Sequence, residues 1–226
     1  MLERSAAMRF AGGALVFPGG RVDAADHALA ALLREDRDGE SAARLAAIRE
    51  TIEEAGVALG LAPAPDAPAL AALRAGLSRG EGLAEVVRLG GLTLALDDLV
   101  PFARWLPSGM PHRIFDTRFY LARMPAGAPE PVVDSTENVR LFWMSARDVL
   151  EEAASGRATI IFPTRRNLDR LATYGCFEDA VADARAHPVE TITPWIERHE
   201  DGDRLCIPEG RGYPVTWERV GTALRG

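Results

Sequence analysis

Residues 49–57 read Arg49-Glu50-Thr51-Ile52-Glu53-Glu54-Ala55-Gly56-Val57, and this stretch carries more chemistry per position than any other in the chain. On an α-helix, residues three and four apart share a face. Glu50, Glu53 and Glu54 therefore point to one side, where two of them can reach a common ion. Arg49 lies four residues before Glu53 and can pair with it, orienting the cluster. Carboxylates crowded in this way repel one another unless a cation stands among them. Mg²⁺ and Mn²⁺ prefer hard oxygen ligands, usually alongside retained waters and substrate phosphates. By spacing alone the pattern fits either a metal site or a solvated acidic helix face. Gly56 is a natural helix stop, so the helix is expected to begin near Glu40 or Ser41 and to end there.

Working outward, Arg9 to Gly20 reads as a strand that closes in the turn Phe17-Pro18-Gly19-Gly20. A helix is expected over about 23–34, capped by Asp23 or Asp26, and then a charged break over 35–39. Downstream, 58–68 is rich in Ala and Pro and reads as a loop. Helices follow at about 69–78 and 82–89, and 92–107 is mixed, with a helical turn after Asp97. Strands are expected over 113–124 and 139–144. Ser145 and Thr164 cap helices running to about 155 and 174, and another helix covers 177–186. The tail carries two strands, at about 191–198 and 204–208, joined by the turn Glu200-Asp201-Gly202-Asp203. This alternation of strands and helices points to an α/β or α+β layered fold.

The bulk composition narrows the function. A chain of 226 residues can bury a substantial core, and one domain with insertions is the natural expectation. No window approaches 18 uninterrupted apolar residues, so no membrane span is expected. The N-terminus carries early charges and lacks the apolar core of a secretory signal. Cys176 and Cys206 cannot build a disulfide framework, and reduced thiols in a cytoplasmic protein are the expectation. The formal net charge of −7 argues against a nucleic-acid partner, which needs a basic surface. A small anionic substrate stays compatible, because a metal or a few arginines can set the sign inside a cleft. His27, His112, His187 and His199 are scattered and read as structural or surface residues.

Together, the turn Phe17-Pro18-Gly19-Gly20 and the stretch Arg49–Val57 resemble the signature of the Nudix hydrolases. In that signature a Gly turn is followed by Arg-Glu-aliphatic-any-Glu-Glu-any-Gly-aliphatic, and here Thr51 stands where an aliphatic residue is usual. The resemblance covers residues 9 to 57 closely, and the body to about residue 186 more loosely. It implies a loop–helix–loop that binds Mg²⁺ or Mn²⁺ and hydrolyses a nucleoside diphosphate linked to another group. It further implies Glu50 and Glu54 as direct metal ligands, Glu53 as a ligand or its partner, Arg49 as the orienting residue, and Gly19 and Gly20 as the turn that approaches the metal. The family's motif has a Glu six residues after its first Gly; here Asp26 takes that place, and 22 residues (27 to 48) separate it from Arg49. The extra length is similar to that of a branch that includes peroxisomal coenzyme A diphosphatase-like proteins.

A second pattern precedes the turn. Arg4-Ser5, Arg9, Gly13 and Phe17-Pro18-Gly19-Gly20 fit the spacing R-S-x3-R-x3-G-x3-F-P-G-G, which resembles the segment that coenzyme A–directed Nudix proteins carry before their metal motif. Arg4 and Arg9 can neutralise phosphates that the metal does not hold, because a guanidinium fork suits phosphate oxygens. Without the resemblance they read as two surface arginines flanking a strand. Arg104–Pro107, Phe115–Tyr120, Glu137 and Trp143 resemble the central strands and later turn of the same branch, with Glu137 an auxiliary carboxylate or general base. Nudix domains begin with a full strand before the position of Leu2, so either the sheet lacks part of its first strand or the start at Met1 is late, and the late start is the expectation.

The expected protein is thus a single Nudix α/β/α sandwich over 1–226. It has a mixed sheet, helical insertions at about 24–39 and 62–90, and a C-terminal β-hairpin extension at about 190–217. Its expected activity is metal-dependent hydrolysis of a diphosphate linkage, with coenzyme A or an acyl derivative the favoured substrate. ADP-ribose or a dinucleotide would use the same helix with another pocket. A noncatalytic Nudix-fold binding module would ordinarily lack one of the three glutamates. Homodimers are frequent in the family, which leaves that assembly open.

Overall fold

Residues 41–55 form the helix that the Arg49–Val57 stretch demands, and the rest of the chain is best described from it. The computed structural model describes residues 1–8, 11–33, 40–107, 115–134 and 136–223. Arg9, the charged break at 35–39 and His112 lie outside the described residues.

In chain order the elements begin with β1 (Leu2–Arg4), β2 (Leu15–Val16), α1 (Ala24–Leu32) and α2 (Ser41–Ala55). Then come β3 (Leu61–Ala62), α3 (Ala67–Ser78), α4 (Leu83–Leu89), β4 (Thr93–Leu94), a 3₁₀ turn at Leu96–Asp98, β5 (Val100–Trp105) and β6 (Thr117–Leu121). The last part holds β7 (Asn138–Leu141), α5 (Ala146–Ala154), α6 (Phe162–Leu171), α7 (Phe177–Ala186), β8 (Thr191–Ile192), β9 (Trp195–Glu197), β10 (Arg204–Cys206), β11 (Trp217–Arg219) and α8 (Val220–Ala223).

Helix α2 is two-faced. Leu45, Ile48 and Ile52 are fully buried at spacings of three and four, while Glu50 and Glu53 lie on another side. Burying each of these aliphatic side chains contributes about 1.5–3 kcal/mol. Their partners are Leu70, Leu73 and Leu77 of α3, Leu83, Val86 and Val87 of α4, and Ala30 of α1. The segments expected as insertions therefore supply much of the core behind the glutamate helix. Gly56 ends α2 in the left-handed region, at φ 59° and ψ 38°, and its N–H returns to the carbonyl of Ile52.

Strands β1, β2 and β7 form an antiparallel sheet with β1 in the middle. Alternation along the strands covers both of its faces. Leu2, Val16 and Leu141 pack toward Ala55 and Val57 at the end of α2. Met1, Leu15, Phe17 and Phe142 pack toward Val149 of α5 and Leu168 of α6. A second sheet has the order β6-β5-β8, with β5–β6 antiparallel and β5–β8 parallel, so it is mixed.

Several expectations are corrected. Among the described residues of the strand expected over Arg9–Gly20, Leu15–Val16 forms the strand, and Leu2–Arg4 is itself the central strand of its sheet. The strand expected over 191–198 divides into β8, paired with β5, and β9, paired with β10. Pro194 lies between the two pieces and has no N–H to donate to a ladder. The tail is therefore a three-stranded meander, β9-β10-β11, rather than a hairpin. Helix α6 begins at Phe162, capped by Ile161 with Pro163 in its first turn, so Thr164 lies inside it. A proline in the first turn sacrifices no hydrogen bond, which favours the earlier start.

Candidate functional site

The glycine turn and α2 meet through a hydrogen bond between residues 35 apart. The Gly19 N–H donates to Oε2 of Glu54 at 2.8 Å. Gly20 lies against Glu50: a Cβ at position 20 would sit 2.2 Å from the Glu50 carboxyl carbon. Only glycine lets the turn approach that carboxylate so closely.

Arg49 organises the other carboxylates. Its Nη1 donates to Glu50 at 2.9 Å and to Glu53 at 3.0 Å. Its Nη2 donates to Asp26 at 2.9 Å and to the Arg21 carbonyl at 2.9 Å, and its Nε reaches Asp26 at 3.3 Å. Asp26 is buried on α1 and also accepts from the Asp23 backbone N–H at 2.9 Å, closing a capping box. Helix α1 is thereby tied to the glutamate helix through Asp26. Burial works against the charge of Arg49, but Asp26 and Glu50 outweigh it and hold the guanidinium above its ordinary pKa.

Glu50 is pushed up to about 7, first by burial and further by the charges of Glu54 and Glu53, despite the opposing pull of Arg49. Glu54 is raised too, again chiefly by burial, with the Gly19 N–H and Asn138 working the other way. Glu50 and Glu53 are thus brought together on one guanidinium nitrogen, whereas Glu54 turns toward the glycine turn. Among the described residues, no three His, Cys, Asp or Glu side chains are already gathered as a metal set. The donors nevertheless suit a hard divalent cation. All are carboxylate oxygens, Gly20 leaves Glu50 a cradle that a Cβ would fill, and a second cation would relieve the crowding that raises Glu50.

Arg4 comes from β1 and is largely buried, with Nη2 3.6 Å from Glu137 and a buried Nε that has no hydrogen-bond partner. Its charge also acts on Glu54. Of the predicted residues, then, Gly19, Gly20, Asp26, Arg49, Glu50, Glu53 and Glu54 share one site, and Arg4 and Glu137 stand beside it. His187 and His199 pair with Asp183 and Glu197 instead.

Three residues here carry no sequence signal. Asn138, fully buried at the start of β7, donates from Nδ2 to Oε1 of Glu54 at 3.2 Å. Asp134 donates its N–H to the Glu54 carbonyl at 3.0 Å, and its carboxylate accepts from the backbone N–H groups of Glu137 and Asn138. Arg74 of α3 donates from Nε and Nη2 to the carbonyl of Glu53, at 3.0 and 2.8 Å.

No protein-family model matches the chain. A crystal structure of a Nudix hydrolase from Alicyclobacillus acidocaldarius matches with a TM-score of 0.68 and 30% identity, over 80% of this chain and 86% of that one. The chain belongs to the Nudix hydrolase family. A relative from Gallus gallus named acyl-coenzyme A diphosphatase NUDT19 is 28% identical over 94% of this chain, which spans 72% of that protein's length. A Caenorhabditis elegans relative whose name also contains nudix hydrolase is 30% identical over 76% of this chain, which spans 55% of its length. This Nudix protein is accordingly a hydrolase of diphosphate bonds, and Nudix hydrolases generally use divalent metal ions.

Proposed function

We propose that this Nudix hydrolase cuts the diphosphate of coenzyme A or an acyl-coenzyme A, with Mg²⁺ or Mn²⁺ held by Glu50 and Glu54 and assisted by Glu53. The observation that carries the proposal is the pair of contacts between the glycine turn and α2: Gly19 on Glu54 and Gly20 against Glu50. They place two carboxylates from one helix face at one loop, next to the half-buried arginine of β1. The name of the Gallus gallus relative, and its match to nearly the whole chain, favour the coenzyme A substrate class.

Glu50, Glu54 and Glu53 would hold the divalent cation, which when bound would supply polarisation of the diphosphate and a lowered pKa for an attacking water. The chain's own residues supply the positioning on which phosphoryl transfer depends. Arg4, whose Nε has no protein partner, neutralises phosphate oxygens as charge builds on them. Arg49 keeps Asp26 and the Arg21 carbonyl through Nε and Nη2, so that only Nη1 has to yield when Glu50 and Glu53 turn to a cation. Glu137, exposed beside Arg4, is the auxiliary carboxylate that can take the water's proton. Water oxygen bonds to phosphorus as the bridging P–O bond breaks, and the bridging oxygen leaves with the other phosphate.

The test is hydrolysis of coenzyme A, acetyl-coenzyme A, ADP-ribose, NADH and diadenosine polyphosphates by wild type and Glu54→Gln, each with Mg²⁺, Mn²⁺ and chelator. The expected result is metal-dependent release of 3′,5′-ADP from coenzyme A, lost in the variant. Turnover of ADP-ribose alone would discard the substrate class and keep the helix. Turnover that survives chelator and Glu54→Gln would discard the metal assignment.

A further inference from the structure

Glu54 is the glutamate that Arg49 does not hold, and its environment is built by a different part of the chain. Three contacts close a ring around this one residue. The Asp134 N–H donates to the backbone carbonyl of Glu54 at 3.0 Å. The Asp134 carboxylate accepts from the backbone N–H of Asn138 at 3.2 Å. The Asn138 side chain then donates to the Glu54 carboxylate at 3.2 Å. Asp134 and Asn138 therefore grip the helix at Glu54 through both its backbone and its side chain. The ring is itself seated twice: Val132 N–H donates to the carbonyl of Ala55 at 2.8 Å, and Asn138 lies opposite Arg4 in the β1–β7 ladder.

From this ring we infer that Asn138, set in place by Asp134, is a positioning residue for Glu54. It fixes the carboxylate so that a divalent cation meets a preformed oxygen ligand. The inference rests on the metal role of Glu54 proposed above. The physical case is that Asn138 is completely buried, so its amide has no water to fall back on, and one of its donors is spent on a carboxylate. A hydrogen bond to the charged form favours that form and restricts the rotamer of the side chain that accepts it. With Gly19 holding Oε2 and Asn138 holding Oε1, each carboxylate oxygen has its own protein donor. Partners of this kind behind a ligand are commonly worth about 10- to 100-fold in metal affinity.

The test is Mn²⁺ affinity of the metal-free protein, titrated by electron paramagnetic resonance, with thermal melting and kcat and KM measured in parallel. The proteins are wild type, Asn138→Ala, Asp134→Asn, Glu54→Gln and the double variant Asn138→Ala/Glu54→Gln. Asn138→Ala is expected to weaken Mn²⁺ binding about 10-fold or more and to lower kcat more than it raises KM. In the Glu54→Gln background the same change is expected to have no further effect on Mn²⁺, because Asn138 acts through that carboxylate. A loss of equal size in both backgrounds would show a general structural role and overturn the inference. So would unchanged affinity in folded Asn138→Ala. Should Asn138→Ala fail to fold, Asp134→Asn reads the same ring from its other side, with a smaller loss of Mn²⁺ affinity expected and no loss overturning the inference. If Glu54→Gln alone leaves Mn²⁺ binding intact, the metal role of Glu54 falls and this inference falls with it. If Glu54→Gln weakens binding while the Asn138 and Asp134 changes do not, the positioning inference falls alone.

Discussion

Glu50 is held under tension by its own neighbours. Burial and the charges of Glu54 and Glu53 push its pKa up to about 7 from an ordinary value near 4.5. In the metal-free protein the folded state therefore keeps a proton on Glu50 that the unfolded chain releases as pH rises from about 4.5 to 7. A raised carboxylate of this kind makes stability fall with pH across that window, and the penalty is complete above it. Glu54, raised by burial, acts in the same direction. Asp116, Asp134 and Asp183 are lowered instead, so their contribution disappears only in stronger acid, as pH falls below the ordinary aspartate range. In chelator, Glu50→Gln should therefore remove part of the slope between pH 4.5 and 7 and melt higher than wild type at pH 8. The difference is expected to be on the order of 1–3 kcal/mol before solvent screening, at about 2–4 °C in Tm per kcal/mol for a chain of this size. Parallel melting curves for the two proteins across that window would sink the assignment. Adding Mn²⁺ should raise the wild-type Tm at pH 8 more than that of Glu50→Gln, because a ligand that binds only the folded state stabilises it by mass action.

At the scale of elements, the site is a junction between α2, the glycine turn and α1, and each joint can be loosened separately. Gly20→Ala places a Cβ 2.2 Å from the Glu50 carboxyl carbon, so either the carboxylate or the exposed turn must move. The expected outcome is a kcat/KM reduced by roughly 10-fold or more, since a 1 Å misplacement can cost about 100-fold, while Tm changes by less than about 3 °C. Unchanged kinetics would mean that Glu50 does not work from this position. Asp26→Ala removes the carboxylate that binds Arg49 through two nitrogens and leaves that guanidinium with fewer acceptors. A loss of about 1–3 kcal/mol in stability is expected from chemical denaturation, with activity falling as Arg49 loses the anchor from which it holds Glu50 and Glu53 together. The sequence exposed this junction in part. Helix α2, its stop at Gly56 and the turn at Gly19-Gly20 follow from local periodicity and backbone sterics, which neighbours in sequence determine. Strand β5 was legible only at its end, where Arg104–Pro107 resembles a central strand, because its partners β6 and β8 lie far along the chain and Pro101 obscures its pattern. Asn138 and Asp134 escaped for the same kind of reason. A polar residue before a strand looks like any loop residue until the register brings it under Glu54.

Across the molecule, the glutamate helix and the C-terminal meander belong to different hydrophobic clusters. Leu45, Ile48 and Ile52 pack with α3 and α4, whereas Trp105, Phe162, Leu205, Ile207 and Tyr213 form a cluster joining β5, α6 and the meander. A buried cation lies at the edge of this second cluster. The Arg170 guanidinium donates to the Phe102 carbonyl at 3.0 Å and to Asp183 at 2.7 Å, and stacks over the Phe102 ring at 4.2 Å from its centroid. Tyr213 adds a second aromatic face, and its hydroxyl bonds Asn167 at 3.0 Å while accepting from the Trp105 indole at 3.2 Å. Removing one partner of a buried ion pair leaves a charge without compensation, which costs about 3–5 kcal/mol. Asp183 keeps some solvent access, so the lower part of that range applies to Asp183→Asn. Because Arg170 and Asp183 touch none of the glutamates, the glycine turn or Asn138, this loss should appear in stability and not in chemistry. We expect Asp183→Asn to lower Tm by several degrees while leaving Mn²⁺ affinity and kcat at 25 °C within about twofold of wild type, as separate sites usually add independently. A fall in Mn²⁺ affinity comparable to that of Asn138→Ala would instead mean that the meander and its cluster help set the geometry of α2.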